Sequence, residues 1–233
     1  MKQPNINMQK IAVLLGATGM VGGALLKLLL DDTDYDLIRV VGRRSTGLTH
    51  SRLEEHVIDM SDMGALQQAI KGARVVFVAI GTTMRRVRGD RDLYRTIDFD
   101  IPVNAAKLAA AEGVAAYALV SAVGADPDNA YNFYIKLKGV TEETVAEQGV
   151  PRTIIVRPSL LMGQRKERRP AERVAQWLMP AINPLLRGKL SRYRGIDASD
   201  VARAMIRAVK APAPGLFIYE YDDMIRLSRS ADQ

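Results

Sequence analysis

Three glycines, Gly16, Gly19 and Gly22 in the string GATGMVGG, follow directly on the apolar run Ile11 to Leu15 and open a segment of helical period from Met20 to Leu30. A glycine fingerprint carries meaning only in this strand, turn and helix context. The first glycine permits a tight turn, the second lets backbone N–H groups approach a pyrophosphate, and the third lets the helix pack closely on the strand. The helix N-terminus then faces phosphate with free N–H groups and partial positive charge. Gly16, Thr18, Gly19, Met20, Val21 and Gly22 are therefore expected to hold a dinucleotide cofactor.

A carboxylate at the end of the second strand would bind the 2′-hydroxyl of an NAD ribose. This chain has Gly42, Arg43 and Arg44 there. Asp36 has roughly the right distance in sequence, but it precedes that strand and belongs to the wrong end. A guanidinium makes paired, charge-assisted hydrogen bonds to phosphate oxygens. Arg43 and Arg44 thus favour NADP(H), with NAD(H) as the alternative.

The elements that must position this turn come from periodicity. Short, β-branched runs alternate with segments of helical period, the signature of a parallel sheet covered on both faces. Strands are expected at 11–15, 37–41, 56–59, 75–80, 116–121, 153–156 and 216–219. Helices are expected at 20–30, 66–70, 101–112, 132–147 and 200–209. The fold class is α/β, a Rossmann-type doubly wound, mostly parallel sheet of about seven strands with helices on both faces. Residues 1–233 are expected to form one domain, with an excursion at 164–196 that breaks the alternation with Pro170, Pro180 and Pro184 and holds Trp177, the only tryptophan. Residues 228–233 are expected to fray.

Composition narrows the function classes. Of the 233 residues 48% are hydrophobic and 25% charged, as in ordinary globular proteins. Absence of cysteine, with two histidines (His50 and His56), removes disulfide, thiolate and Cys/His zinc chemistry, so no metal site is expected. A cytoplasmic location fits that composition. Glycines and Lys27 interrupt the run from Ile11 to Leu30, which excludes it as a signal or membrane segment. The net charge of +7 favours an anionic partner. It is concentrated at Arg85, Arg86, Arg88, Arg91 and Arg95 and at Arg165, Lys166, Arg168 and Arg169, where solvated loops are the plainer reading. No recognition helix, RNA-binding aromatic motif or zinc site accompanies these arginines, which argues against a nucleic-acid partner. The oligomeric state is open.

GATGMVGG, VVGRR, Ile80-Gly81-Thr82-Thr83, LVSAVGAD and NFYIKLKG together resemble the atypical short-chain dehydrogenase/reductase (SDR) proteins. The segment RPSLLMGQRKERRPAE at 157–172 is similar to the branch of the Tat-interacting-protein oxidoreductases. The resemblance implies a catalytic Tyr and a Lys four residues on, matched by Tyr134 and Lys138; Tyr131 has Ile135 at that spacing. On one helix face, Lys138 would hold the cofactor ribose and lower the phenol's pKa while Tyr134 exchanges the carbonyl proton. Ser121 is the family's candidate to bind a substrate oxygen, although the second serine of the family is Ala122 here. Asp98 stands where many relatives carry asparagine. The family likewise implies Asp59 and Met60 near the adenine, Ile80, Gly81 and Thr82 near the ribose and phosphates, and Pro158, Ser159 and Leu160 near the nicotinamide. Arg165, Glu167, Arg169 and Glu172 would line the substrate opening. The activity so implied is NADP(H)-dependent redox on a small-molecule carbonyl or alcohol. The alternative is a cofactor-sensing regulator without turnover, similar to NmrA-like proteins, because fold alone does not establish catalysis.

Overall fold

The computed structural model describes residues 9–162, 183 and 186–230. Seven strands form one sheet in the order β3-β2-β1-β4-β5-β6-β9, and every neighbouring pair is parallel. They are β1 (Ile11–Leu15), β2 (Leu37–Gly42), β3 (Leu53–Val57), β4 (Ala73–Val78), β5 (Ala116–Val120), β6 (Arg152–Val156) and β9 (Gly215–Tyr219). The order reverses between β1 and β4. Such a switch point opens a crevice beyond the carboxyl ends of the strands, where ligands bind in doubly wound sheets.

Helices α1 (Met20–Asp31), α6 (Ala198–Lys210) and α7 (Tyr221–Arg229) cover one face. Helices α2 (Met63–Ile70), α4 (Ile101–Ala111) and α5 (Phe133–Ala146) cover the other, and the short α3 (Arg91–Arg95) leads toward α4. Strand β1 shows how the two layers form. All five of its residues are buried, with Ala12 and Leu14 facing the α1 layer and Ile11, Val13 and Leu15 the α2 layer. A strand buried on both faces reads as a continuous apolar run because both of its side-chain sets meet helices. None of the described helices is long and apolar enough to cross a membrane.

Three elements depart from the expectation. Strand β3 occupies Leu53–Val57 rather than 56–59. Its carboxylates hid it, since Arg39 reaches Glu54 at 3.3 Å and the Thr46 amide donates to Glu55 at 2.7 Å. Residues 221–229 form α7 and so extend helix into the expected frayed tail. Its Met224 is fully buried in the α1-side core, and Ser228 is buried as well. Finally, α3 runs into α4 through a π-helical turn at Thr96–Asp100. Of the 164–196 excursion, most lies outside the described residues. Its end forms a 3₁₀ turn at Gly188–Tyr193, then β8 (Ile196–Asp197), paired with β7 (Leu161–Met162).

Candidate cofactor and active site

The glycines do two different jobs. Gly16 has φ of 92°, and a Cβ there would lie 2.5 Å from the Ala79 carbonyl oxygen at the end of β4. A Cβ on Gly22 would sit 2.1 Å from the Gly16 carbonyl oxygen. Both are therefore demanded by the packing of turn, helix and neighbouring strand. Gly19 is not, because its φ of −80° and ψ of 176° suit any residue and its added Cβ would come no nearer than 3.3 Å to protein. Helix α1 has no side-chain cap, whereas α2 and α5 are capped by Asp62 and Asn132. Thr18 and Gly19 are exposed in front of it, while Val21 anchors the first turn in the core and Met20 packs against it. An uncapped helix start behind an exposed glycine fits a pyrophosphate.

Arg43 and Arg44 project from the end of β2 and are exposed; neither side chain has a hydrogen bond or ion pair with a described residue. Asp36 lies at the opposite end of the sheet, where it accepts the Lys10 amide at 2.7 Å. Asp59 follows β3. Hydrogen bonds from the Ser61 amide and hydroxyl, and then the charge of Arg43, hold its carboxyl below the ordinary range. Met60 is buried in the α2-side core.

At the end of β4, Ile80, Gly81 and Thr82 meet the helices that follow. The Thr82 amide donates to Asp98 Oδ2 at 2.8 Å, and Lys138 Nζ lies 2.9 Å from Asp98 Oδ1. Asp98 is 1% exposed and Lys138 5%. The π turn aims Asp98 inward, a common role for such turns at functional sites. Burial alone would push Lys138 down, but the Asp98 carboxylate, with smaller help from Tyr134 and Glu142, raises it above the ordinary lysine range.

Tyr134 stands one turn before Lys138 and is 37% exposed. The expected lowering of its phenol does not result. Burial of the ring pushes the pKa up, the Lys138 ammonium pulls it down, and the Asp98 carboxylate pushes it up again, leaving it above the ordinary tyrosine value. Tyr131 is 98% exposed in the loop before the helix.

Ser121 is buried, and its hydroxyl donates to Glu142. Glu142 in turn accepts Arg157 Nε on both oxygens at 3.0 Å and also contacts its terminal nitrogen. The serine hydroxyl thereby joins a buried network that links the end of β5, α5 and the end of β6. Pro158 accepts the Val123 amide at 3.0 Å, the Ser159 hydroxyl donates to the Arg194 carbonyl, and Leu160 accepts the Ile196 amide at 3.0 Å. These bonds pin the rim after β6. Arg165, Glu167, Arg169 and Glu172 lie outside the described residues.

Two residues of this network, Glu142 and Arg157, escaped sequence reasoning. The available signal was the spacing of Tyr134, Lys138 and Glu142 at i, i+4 and i+8, which places them on one face of α5. Gly139 escaped as well: a Cβ there would lie 2.2 Å from the Pro127 nitrogen, so only glycine lets α5 lie against that loop.

A parallel doubly wound sheet with a phosphate-ready turn at its switch point defines a Rossmann-type dinucleotide-binding fold. Residues 16–212 match the family described as NAD(P)H-binding, and the chain belongs to that family. It is 34% identical over 205 residues to protein fmp52, mitochondrial, of Aspergillus niger, covering 85% of this chain and 86% of the relative. It is 28% identical over 227 residues to protein HTATIP2 of Rattus norvegicus, covering 96% and 91%. The resemblance drawn from the sequence motifs is thus borne out. Among solved structures, a short-chain dehydrogenase/reductase superfamily protein from Agrobacterium tumefaciens with bound NAD aligns with a TM-score of 0.68 at 21% identity, covering 91% of this chain and 78% of that one. A UDP-glucose 4-epimerase with UDP-glucose from Thermotoga maritima aligns with 0.68 at 15% identity, covering 94% and 81%. At these identities the likeness concerns the fold.

One expectation is corrected by these relatives. The fungal homologues are named mitochondrial proteins, against the cytoplasmic reading. That reading leaned on the absence of cysteine, which removes disulfide chemistry but does not distinguish one reducing compartment from another.

Proposed function

We propose that the protein is an NADP(H)-dependent oxidoreductase acting on a small carbonyl or alcohol, with the whole chain serving as one cofactor-binding domain. The observation that carries this reading is the solvent-reachable Tyr134 one helical turn from a buried, charge-paired Lys138, beside the loop that ends β4. A reduced nicotinamide dinucleotide would supply hydride to the carbonyl carbon. Tyr134 gives its hydroxyl proton to the carbonyl oxygen, so that C=O becomes CH–OH, and the phenolate recovers a proton from water. Gly16, Thr18, Gly19, Met20, Val21 and Gly22 would cradle the pyrophosphate, and Arg43 and Arg44 the 2′-phosphate. Asp59, Met60, Ile80 to Thr82 and Pro158 to Leu160 would surround the remainder.

A screen of small aldehydes and ketones with NADPH tests the proposal. Tyr134→Phe keeps the ring and deletes the acid, so turnover is expected to fall about 10²- to 10⁴-fold with NADPH affinity unchanged. Turnover at the wild-type rate would sink the assignment. A second reading, a cofactor-sensing regulator, draws support from Ser121, whose hydroxyl is committed to Glu142, and from the adjacent Ala122. Tight NADPH binding with no substrate across a broad screen would favour it.

A further inference from the structure

Lys138 lies one helical turn from Tyr134, and the structure gives it a direct anionic partner from a different helical segment. Asp98 could have turned outward; instead the π turn at Thr96–Asp100 puts it in the interior with its two oxygens divided between Lys138 Nζ and the Thr82 amide. The Thr141 hydroxyl of α5, which donates to the Leu137 carbonyl at 2.7 Å, also lies 3.2 Å from the Asp98 carbonyl oxygen, so turn and helix are in close contact. Removing two charges from water is costly unless they pair and their remaining hydrogen-bonding capacity is used. Here both conditions are met for Asp98.

We propose that Asp98 is a positioning residue, which fixes the Lys138 ammonium by a direct ion pair and offsets its charge, so that Tyr134 is presented to substrate as a proton donor. This rests on the oxidoreductase reading but concerns a property measurable without any substrate. An unshielded ammonium one turn away would draw a phenol toward phenolate; a carboxylate bridged to that ammonium cancels the pull. The charged or titratable groups that act on this locus are Lys138 and Glu142 of α5, Tyr94 of α3 and Asp98 of the π turn. The electrostatic balance already described for Tyr134 agrees in direction. The consequence is a site set for reduction: proton donation is available at every pH below the titration of Tyr134 and fades as pH rises through it.

The test is the ultraviolet titration of the Tyr134 phenolate, read as the difference between wild-type protein and Tyr134→Phe. In wild type the hydroxyl is expected to titrate at or above the free-tyrosine value of about 10. In Asp98→Asn, nearly identical in size, the titration is expected to move down by on the order of one pH unit. A wild-type phenol that titrates well below 10 would overturn the proposal even if Asp98→Asn fails to fold. So would an Asp98→Asn titration within a few tenths of a unit of wild type. A merely structural aspartate would lower the melting temperature without moving the phenol. Failure of the oxidoreductase reading would appear elsewhere, as absent turnover with these shifts intact.

Discussion

The corner between β1 and α1 and the inner face of α5 solve opposite problems. At the corner there is almost no side chain: the helix starts without a cap, Gly16 and Gly22 let backbone pass backbone, and Gly19 leaves room in front. On α5 side-chain charge is concentrated, with Lys138 paired to Asp98 and Glu142 to Arg157 in the interior. An anion that arrives from solution is best met by fixed backbone N–H groups, which cost nothing to reorganise. A proton that must be given at one place needs titratable groups, and those must be held by partners from other elements. The first device can be written in eight consecutive residues, whereas the second depends on the whole fold.

The largest effect expected from breaking this contrast is at Glu142. Glu142→Ala would leave Arg157 without its partner and Ser121 without its acceptor. Removing one member of a buried pair costs about 3 to 5 kcal/mol. Because Arg157 keeps a 22% exposed side chain, the lower end, about 3 kcal/mol, is expected here. For a chain of this size that corresponds to a fall of roughly 6–12 °C in melting temperature by calorimetry. A change under about 2 °C would mean that water already shares the pair.

A paired substitution at the corner comes next. Gly22→Ala forces helix α1 off the Gly16 carbonyl, and overpacking of this kind costs about 1 to 3 kcal/mol, so both stability and dinucleotide affinity should fall. Gly19→Ala should leave the melting temperature nearly unchanged, since the conformation there suits any residue, while NADPH binding weakens because the methyl group intrudes where phosphate must approach. Equal effects of the two substitutions on calorimetry and on titration would erase the distinction between a packing glycine and a ligand glycine.

What the sequence made legible follows the same division. The turn, six of the seven strands and the helix running from its Asn132 cap to Glu147 were readable because each is encoded by neighbours in the chain. Asn132 accepts the Tyr134 and Ile135 amides, an arrangement specified within four residues. Strand β3 was displaced in the reading because Glu54 and Glu55 break the apolar pattern, and their partners, Arg39 and the 45–46 segment, are visible only once β2 lies beside it. Likewise the sequence presented Asp98 as a departure from the family's asparagine. Its pairing with Lys138 requires a π turn and two helices brought together, which no local spacing announces. Nothing near Ser121 in sequence points to Glu142 either, the carboxylate to which its hydroxyl donates in the fold.

The smallest expected effect lies at the end of β2, where the proposed 2′-phosphate contact again rests on side chains, but exposed ones. Neither Arg43 nor Arg44 makes a hydrogen bond or ion pair with a described residue at the end of β2, although the charge of Arg43 is felt at Asp59. If they bind a 2′-phosphate, NADPH should bind more tightly than NADH in calorimetric titration. Hydrogen bonds to a charged group contribute about 1.5 to 3 kcal/mol. One well-placed arginine then discriminates on the order of tenfold to a hundredfold. Arg43→Ala should remove that preference by weakening NADPH alone, with no change in melting temperature. The preference should also shrink as salt is raised, because exposed charges are screened over about 10 Å at 0.1 M ionic strength. Lysine in place of Arg43 should restore only part of it, since an ammonium keeps the charge but loses the paired geometry. Equal wild-type affinities for the two cofactors would reduce both arginines to solvated charges, and the contrast between backbone and side-chain recognition would then stop at the pyrophosphate. A preference that survives Arg43→Ala but not the double substitution with Arg44→Ala would move the contact one residue along the chain and leave the contrast standing.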